Sequence, residues 1–261
     1  MLRLIKCEFM KLKRKKFILL VALSALLFPI PITVLMTTPQ EIARCGSKAE
    51  AFDSLFNMVI GNGVQLLLPC VIGIIAAMLF FMERDNDTFK NLRTIPVTST
   101  QMVLAKIAVL FICAITFSVV SFTVTAVLGS FTTEINGLTY KLGMAVIMGV
   151  FVTAGTLPLI VCIVLFSRTY IFSVLLCLFY TVFSLMAECI FEALPKAVCY
   201  LMPIPLTTLW CGGNMIKHGI NLNMSRLADK IPSTATTVAI LGIMAVISVI
   251  LIDWLYKKRS E

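Results

Sequence analysis

The sequence predicts an all-α, polytopic membrane protein, and its composition and its long apolar blocks carry that prediction. Of its 261 residues, 59% are hydrophobic and only 13% are charged, whereas a soluble domain is about half apolar and about a quarter charged. The mean hydropathy is +1.00. Because lipid offers the backbone no hydrogen-bond partners, apolar segments that cross it must be helices. We therefore expect one transmembrane domain over residues 1–261.

Six apolar blocks approach the length of a transmembrane helix, which needs about 20 residues to cross ~30 Å of hydrocarbon. They run from Phe17 to Met36, Val64 to Met82, Ile107 to Leu128, Leu142 to Phe166, Ile171 to Ala187 and Thr237 to Tyr256. Polar Asn57, Asn62 and Gln65 precede the second block, so its helix is expected to begin near Leu55 with its outer end in a wet cavity. The connection from Thr37 to Ser54 is expected to be an outer loop.

The lysine and arginine residues predict the orientation of these six helices. With the spans above, 15 of the 22 basic residues fall on one side and seven on the other. The side with more lysine and arginine faces the cytoplasm, so both termini are expected to be cytoplasmic. The membrane is expected to be the cell membrane. The excess charge suits anionic lipid head groups. Nucleic-acid binding is disfavoured, because the basic residues are dispersed among membrane-proximal segments.

Residues 1–16 are expected to form an amphipathic helix at the membrane interface. Leu2, Ile5, Phe9 and Leu12 recur at helical spacing on one face, and basic residues occupy the rest. That pattern is typical of an interfacial helix. The alternative is a frayed basic anchor that merely enforces the topology. A secretory signal is disfavoured, because the following apolar run is too long and no A-x-A cleavage site follows it.

The segment 83–106, between the second and third blocks, is a polar island that suits a water-soluble partner. Phe89 and Leu92 lie on one side of a short helix that Asp87 or Thr88 can cap and Pro96 ends. The candidate partner-binding residues are Glu83, Asp85, Asp87, Thr88, Phe89, Lys90, Leu92 and Arg93. Such an exposed apolar pair with basic neighbours suits a groove in another protein. The alternative is a helix that lies on the membrane surface.

The outer segment 188–236 is too apolar for a free loop. Pro195, Pro203 and Pro205 prevent one continuous helix, so we expect a helical hairpin that dips into the outer leaflet. The alternative is an amphipathic helix lying on the surface beside an aromatic belt.

Two acidic residues open this outer segment. Glu188 and Glu192, four residues apart, are expected to share a helical face at the outer end of the fifth span. With Trp210 they are candidates for an outer gate or a substrate site. A solvated helix end is the alternative interpretation.

The sequence shows no catalytic constellation, so neither a cofactor nor a metal ion is expected. It has one histidine, His218, and nine cysteines without a C-x-x-C pair. A disulfide among the outer cysteines stays open; these are Cys45, Cys189, Cys199 and Cys211. Asp253 and Lys257 fit a helix-end ion pair, and the apolar core shows no chain of charges for a proton relay. A phosphate-binding G-x-x-x-x-G-K-[ST] loop is missing, so transport would need energy from another protein.

Several local patterns together resemble one transporter family. The order Glu83, Asp85, Asn86, Thr88, Leu92, Pro96 and Lys106 leading into a span resembles the cytoplasmic loop of ABC-2 type transporter permeases. The basic block KCEFMKLKRKKF, six spans and a proline-bearing outer segment are also similar to that family. The run MERDNDTFKNLRTIPVTSTQMVLAK looks most like permeases for bacitracin and lantibiotic resistance in Gram-positive bacteria.

The resemblance implies that the chain pairs with a second copy of itself or with a similar permease. Two ATPase subunits would attach to this pair and would bind the ATP. Residues 1–16 would be the elbow helix, Asp87 to Thr94 the coupling helix, and Glu188 to Trp210 the outer re-entrant helices. A hydrophobic or amphipathic substrate, such as a peptide antibiotic, would be expelled without chemical change. Two other classes remain open: a non-transporting membrane anchor or sensor that recruits a cytosolic protein, and a membrane-embedded hydrolase acting on a lipid carrier.

Overall fold

The computed structural model of the chain describes residues 1–14, 17–85, 98–166, 170–222 and 224–260. These residues form helices and connecting turns, with no strand among them, which confirms the predicted all-α class. The α-helices are α1 (Leu2–Arg14), α2 (Phe17–Leu27), α3 (Pro29–Met36), α4 (Pro39–Arg44), α5 (Lys48–Phe56), α6 (Val64–Asp85), α7 (Ser99–Gly129), α8 (Leu138–Leu165), α9 (Tyr170–Cys189), α10 (Lys196–Leu201), α11 (Pro203–Lys217) and α12 (Thr234–Ser260). A π-helical segment, Asn57–Gly63, joins α5 to α6, and a 3-10 helix, Ser225–Lys230, precedes α12.

Five helical stretches within the described ranges are long and apolar enough to cross a membrane. They are Lys48–Phe81, Ser99–Gly129, Leu138–Leu165, Tyr170–Cys189 and Thr234–Lys258. The second to sixth predicted blocks each overlap one of them. The second helix begins at Lys48 rather than near Leu55, because Ser47 caps it by accepting a 3.1 Å hydrogen bond from the Glu50 N–H. Much of the predicted loop from Thr37 to Ser54 is therefore helical.

The first predicted block, Phe17 to Met36, is not one continuous helix. It divides at Phe28 into α2 and α3, because Pro29 and Pro31 lack the N–H that would continue the backbone ladder. Without the Pro29 N–H, the Ala25 carbonyl loses its partner within the helix. Ser121 of α7 donates a 3.0 Å hydrogen bond to that carbonyl. The break is therefore matched by a side chain on the neighbouring helix.

Helix α8 lies at the centre of the bundle, in contact with α6, α7, α9, α11 and α12, and α1 to α3 pack along α7. Glycine permits the close approach of α8 to α7. A Cβ atom at Gly149 would lie 3.0 Å from the Ile115 Cα of α7. Small residues at such contacts allow two helix backbones to approach each other in apolar surroundings.

The bundle has two distinct ends. At one end α6 finishes and α7 starts, close to α1 and to the last turns of α12; we call it the termini end, because both chain termini lie there. Phe80 packs there edge-on against Tyr256, with ring centroids 6.2 Å apart. The opposite end carries α5, the turn between α7 and α8, and the connections around α10 and α11; we call it the hairpin end.

Helices α10 and α11 form a hairpin that reaches the middle of the bundle. The chain leaves helical geometry at Met202 (φ −90°, ψ 112°), immediately before Pro203. A Cβ at Gly155, in the middle of α8, would lie 3.0 Å from the Pro203 Cβ. Tyr180, in the middle of α9, donates a 2.8 Å hydrogen bond to the Gly155 carbonyl. From this apex α11 returns to the hairpin end, where Tyr140 donates to the Asn214 side chain at 2.7 Å.

Candidate functional site

A buried lysine joins three helices at the termini end. The side chain of Lys106, near the start of α7, is 0% exposed, and its Nζ lies 3.3 Å from Glu8 Oε2 of α1. The same Nζ donates a 2.8 Å hydrogen bond to the Leu79 carbonyl of α6. Lys11 lies 2.5 Å from the other oxygen of Glu8. A charge removed from water requires such close partners. These contacts therefore hold α1 against the end of α6 and the start of α7, the two helices that flank the segment between them.

The first turn of α7 is also tied to α12. Thr100 Oγ1 donates to Asp253 Oδ2 at 3.3 Å, and Lys257 lies 2.7 Å from the same oxygen. The Asp253–Lys257 pair matches the helix-end pair expected from the spacing. Thr98 and Gln101 form a reciprocal capping box, with both hydrogen bonds at 3.3 Å. The start of α7 therefore has a fixed direction and a fixed neighbour.

The predicted partner-binding residues lie along the chain between the end of α6 and the start of α7. Glu83 and Asp85 belong to the last turn of α6. The remaining residues of that set lie outside the described part of the chain; they are Asp87, Thr88, Phe89, Lys90, Leu92 and Arg93. The coupling helix from Asp87 to Thr94 therefore stays a prediction, while the structure defines the helices on either side of it.

Helix α1 meets the bundle along part of its apolar face. Leu12 is 2% exposed, Ile5 and Phe9 are partly buried against the core, and Leu2 is 84% exposed. The burial of α1 thus increases toward α2. Its role as an elbow helix stays a prediction.

A polar cluster at the hairpin end joins α6, α9 and α11. Thr208 Oγ1 lies 2.6 Å from Glu188 Oε1, within hydrogen-bonding distance, and also contacts Gln65 Oε1. The Gln65 residue is 3% exposed, and its Nε2 has no hydrogen-bond partner among the described residues. Glu188 itself is half-buried. Gln65 is therefore enclosed by protein rather than lying in the wet cavity expected from the sequence.

The three predicted gate residues occupy different environments. The prediction that Glu188 and Glu192 share a helical face is wrong, because α9 ends at Cys189. Glu192 is exposed, and its Oε2 lies 3.5 Å from Arg226. Trp210 is 3% exposed, donates a 3.1 Å hydrogen bond to Thr234 Oγ1, and packs at 4.7 Å from the Phe151 ring. Trp210 therefore fastens α11 to α8 and α12.

The sequence did not reveal a second buried ion pair, which lies at the hairpin end. Lys141 Nζ of α8 is 2.5 Å from Asp53 Oδ1 of α5, with the two side chains 2% and 13% exposed. It also contacts Asn136 Oδ1 and lies 4.3 Å from the centre of the Phe52 ring. Carboxylate, amide and aromatic face together surround this ammonium. The pair fixes the start of α8 against α5.

An apolar cavity of about 400 Å³, open to the outside of the bundle where Leu201 is 70% exposed, lies beside the hairpin apex. Its lining includes Pro158, Tyr180, Leu201, Pro203, Met244 and Ser248. The Tyr180 hydroxyl is already bonded to the Gly155 carbonyl. The cavity therefore offers mainly hydrocarbon contacts at the middle of the bundle.

The cysteines provide no disulfide, because all nine are free thiols. Within the described ranges no group of three or more histidine, cysteine, aspartate or glutamate residues could hold a metal ion. The polar clusters described above join neighbouring helices through ion pairs and hydrogen bonds.

Comparison with known families identifies the chain as a transporter component. The sequence model of the ABC-2 family transporter protein matches residues 4–184, more than half of the chain. The match runs from α1 into α9, and so includes Glu8, Lys106 and Gln65 but not the hairpin. A search of curated proteins finds no match. The chain therefore belongs to the ABC-2 family, the membrane permease components of ABC transporters, and this membership implies an ABC ATPase partner.

Proposed function

We propose that the chain is one of two permease subunits in a bacterial exporter that two ATPase subunits drive. The cargo is an amphipathic molecule, with a peptide antibiotic such as bacitracin or a lantibiotic as the specific candidate. The termini end faces the cytoplasm of the cell, as the 15 to seven division of lysine and arginine favours. The energy comes from ATP bound by the partner, and the cargo leaves chemically unchanged.

The observation that carries this proposal is that α6 and α7, the two helices joined by segment 83–106, are both held to neighbouring helices close to that segment. Lys106 ties α7 to Glu8 of α1 and to the Leu79 carbonyl of α6. Thr100 ties α7 to Asp253 of α12. A force applied to the connecting segment would therefore move four helices together. Such a block suits the rigid-body switching by which a ligand-driven partner rearranges a membrane domain.

The divided first block supports a sixth span in this proposal. Residues 17–36 cover about 30 Å at 1.5 Å per residue, which matches the hydrocarbon thickness. Proline breaks are tolerated within a membrane when neighbouring groups satisfy the freed backbone atoms. The hydrogen bond from Ser121 to the Ala25 carbonyl meets that requirement.

The hairpin of α10 and α11 supports a re-entrant element that enters from the outer side. Its apex lies against Gly155 and Tyr180 at mid-bundle, and ten residues of α11 are buried. Non-helical backbone at that depth requires a covering of protein. Beside the apex, the apolar cavity provides space for the hydrocarbon part of a cargo.

The test is co-purification of the permease with candidate ABC ATPases from the same genome, followed by Phe89→Ala and Leu92→Ala. We expect both variants to weaken ATPase association or the stimulation of ATPase activity by bacitracin or nisin, with unchanged thermal unfolding of the permease. Phe131→Ala is the matched control, since Phe131 is 80% exposed at the hairpin end. Unchanged association and stimulation in both variants would refute the coupling helix. ATPase binding without resistance to either antibiotic would favour the anchor or sensor alternative.

A further inference from the structure

We propose that Glu188, Thr208 and Gln65 form a binding site for the primary ammonium group of an amphipathic molecule. The site lies at the hairpin end, where α9, α11 and α6 meet. The inference rests on the proposed transport function, because it assigns a chemical class to the group that this end of the permease would hold. Glu188 provides the charge, and the two neutral side chains provide orientation.

Among the side chains that the structure describes, Glu188 differs from the other carboxylates that are buried or half-buried. Each of these others lies within 2.7 Å of a lysine or arginine nitrogen. These pairs are Glu8–Lys11, Glu41–Arg44, Asp53–Lys141 and Asp253–Lys257. Among the described residues, no basic side chain pairs with Glu188, whose side-chain hydrogen-bond partner is the Thr208 hydroxyl. A partly desolvated carboxylate is stabilised by a cation, so an external cation would complete this environment.

The hydroxyl of Thr208 explains why the cluster has spare hydrogen-bonding capacity. A hydroxyl carries one proton, so it can donate to only one of its three neighbouring acceptors at a time: Glu188 Oε1, Gln65 Oε1 or the Ile204 carbonyl, which lies 3.1 Å away. If the Gln65 amide is rotated, its NH₂ donates to Thr208, and Thr208 donates to Glu188. As placed, the buried Nε2 of Gln65 lacks a partner. After rotation the same position holds Oε1, an acceptor without a donor, which is costly when buried and which a ligand N–H would satisfy.

These groups favour a primary ammonium over a metal ion. An ammonium has three donors, of which one can reach the Glu188 carboxylate and a second the Gln65 oxygen. Calcium and magnesium require six or more oxygen ligands, whereas this cluster provides a single carboxylate, one hydroxyl and one amide. The chemical class is therefore a compact, monovalent cation with N–H donors.

The surroundings of Glu188 favour an amphipathic rather than a purely hydrophilic amine. Met186 and Ile190, close to Glu188 in sequence, are 61% and 52% exposed. Asn62, one helical turn before Gln65 along the π-helical segment, is also exposed and extends the polar surface. The end of α9 that carries Glu188 thus presents hydrocarbon on its other sides, so an amine that binds Glu188 through its charge can lay its tail along this surface, as lysine stems do at membrane interfaces.

Tryptophan fluorescence provides a direct binding assay without ATPase or transport. The chain has two tryptophans, so Trp254→Phe leaves Trp210, two residues from Thr208, as the reporter. In lipid nanodiscs we expect dodecylamine to change the Trp210 emission saturably. Glu188→Gln should raise the dissociation constant of dodecylamine by about tenfold or more, as expected for loss of one charge-assisted hydrogen bond. Dodecanol, of equal chain length but uncharged, should bind equally to both proteins.

The controls separate the charge from structural effects. Glu188→Asp should retain most of the amine affinity, and Glu192→Gln, which changes an exposed carboxylate, should retain all of it. Equal dodecylamine affinity in the parent protein and in Glu188→Gln would overturn the proposal. If Glu188→Gln does not fold, Gln65→Leu replaces it and should weaken the amine but not dodecanol; equal amine affinity there would also overturn the site. Failure of these assays with intact ATPase coupling would refute the site alone, whereas amine binding without ATPase association would refute the transport function.

Discussion

Lys106 Nζ of α7 lies 3.3 Å from Glu8 Oε2 of α1, although the two residues are 98 positions apart in the chain. Both side chains are buried, so the N-terminal helix is an integral part of the termini end rather than a peripheral tail. The pair also lies next to the point where α6 and α7 lead into the predicted ATPase-binding segment. Its integrity should therefore affect both folding stability and coupling.

Removal of the Glu8 carboxylate should destabilise the protein. Glu8→Gln replaces the carboxylate that Lys11 and the buried Lys106 both contact by a neutral amide, and a hydrogen bond to a charged group contributes about 1.5 to 3 kcal/mol. Lys11→Met should cost less than about 1 kcal/mol, because Lys11 is 35% exposed. Thermal unfolding of both variants in the same detergent measures the difference. Equal transition temperatures for Glu8→Gln and the parent protein would contradict a structural role for the pair.

The Asp53–Lys141 pair should respond asymmetrically to neutralisation. Asp53→Asn leaves a fully enclosed ammonium, whereas Lys141→Met leaves a carboxylate that is nearer to solvent and keeps an apolar stem against Phe52. We expect a loss of about 3 kcal/mol for Asp53→Asn and a smaller loss for Lys141→Met. Chemical denaturation followed by circular dichroism tests this order. The reverse order would mean that the contact with the Phe52 ring outweighs the charge.

Two glycines of α8 should respond oppositely to the same substitution. A Cβ at Gly149 would lie 3.0 Å from the Ile115 Cα, a backbone atom that can move only if α7 moves. Gly149→Ala should therefore lower the free energy of unfolding by about 1 to 3 kcal/mol. Gly143 has nothing within 4 Å of its Cβ position. Gly143→Ala should be neutral or stabilise by up to about 1 kcal/mol through helix propensity. Thermal unfolding of the two variants compares them within one helix.

Accessible cysteines at opposite ends of the bundle should report its orientation. Cys7 of α1 and Cys189 at the end of α9 are both exposed. In variants that retain one of them alone, a membrane-impermeant maleimide should label Cys189 in intact cells. It should label Cys7 only after permeabilisation. Labelling of Cys7 in intact cells would place the termini end outside and reverse the proposed topology.

The long apolar blocks were sufficient to predict α6, α7, α8, α9 and α12, because each must contain enough hydrocarbon to cross a membrane. The division of the first block at Phe28 was not predicted, although Pro29 and Pro31 are its local cause, since proline interrupts a helix at a known place. The compensating hydrogen bond from Ser121 could not be predicted, because it depends on which helix packs beside the break. Local sequence determines where a helix stops, whereas the tertiary fold determines which helix packs beside that point.

In the polar clusters, too, single residues could be recognised from the sequence but their partners could not. Glu188 was recognisable as an acidic residue at the end of an apolar block, but its partners lie at positions 65 and 208, on two other helices. The Asp53–Lys141 pair was missed, because the surrounding segments read as an outer loop and a helix end rather than as packed structure. Pairings between distant residues arise from tertiary contacts that periodicity and spacing do not encode.

The π-helical segment Asn57–Gly63 gives this part of the permease a reserve of one residue. A π turn holds about one residue more than an α turn, so deletion of one residue here lets the segment close into ordinary α-helix while α5 and α6 keep nearly the same phase. Helix α6 itself has no such reserve, because each residue turns an α-helix by about 100°. A deletion between Gln65 and Leu79 would turn the Leu79 carbonyl away from Lys106. The loss of a single codon is therefore tolerated at the π segment and disruptive a few residues later.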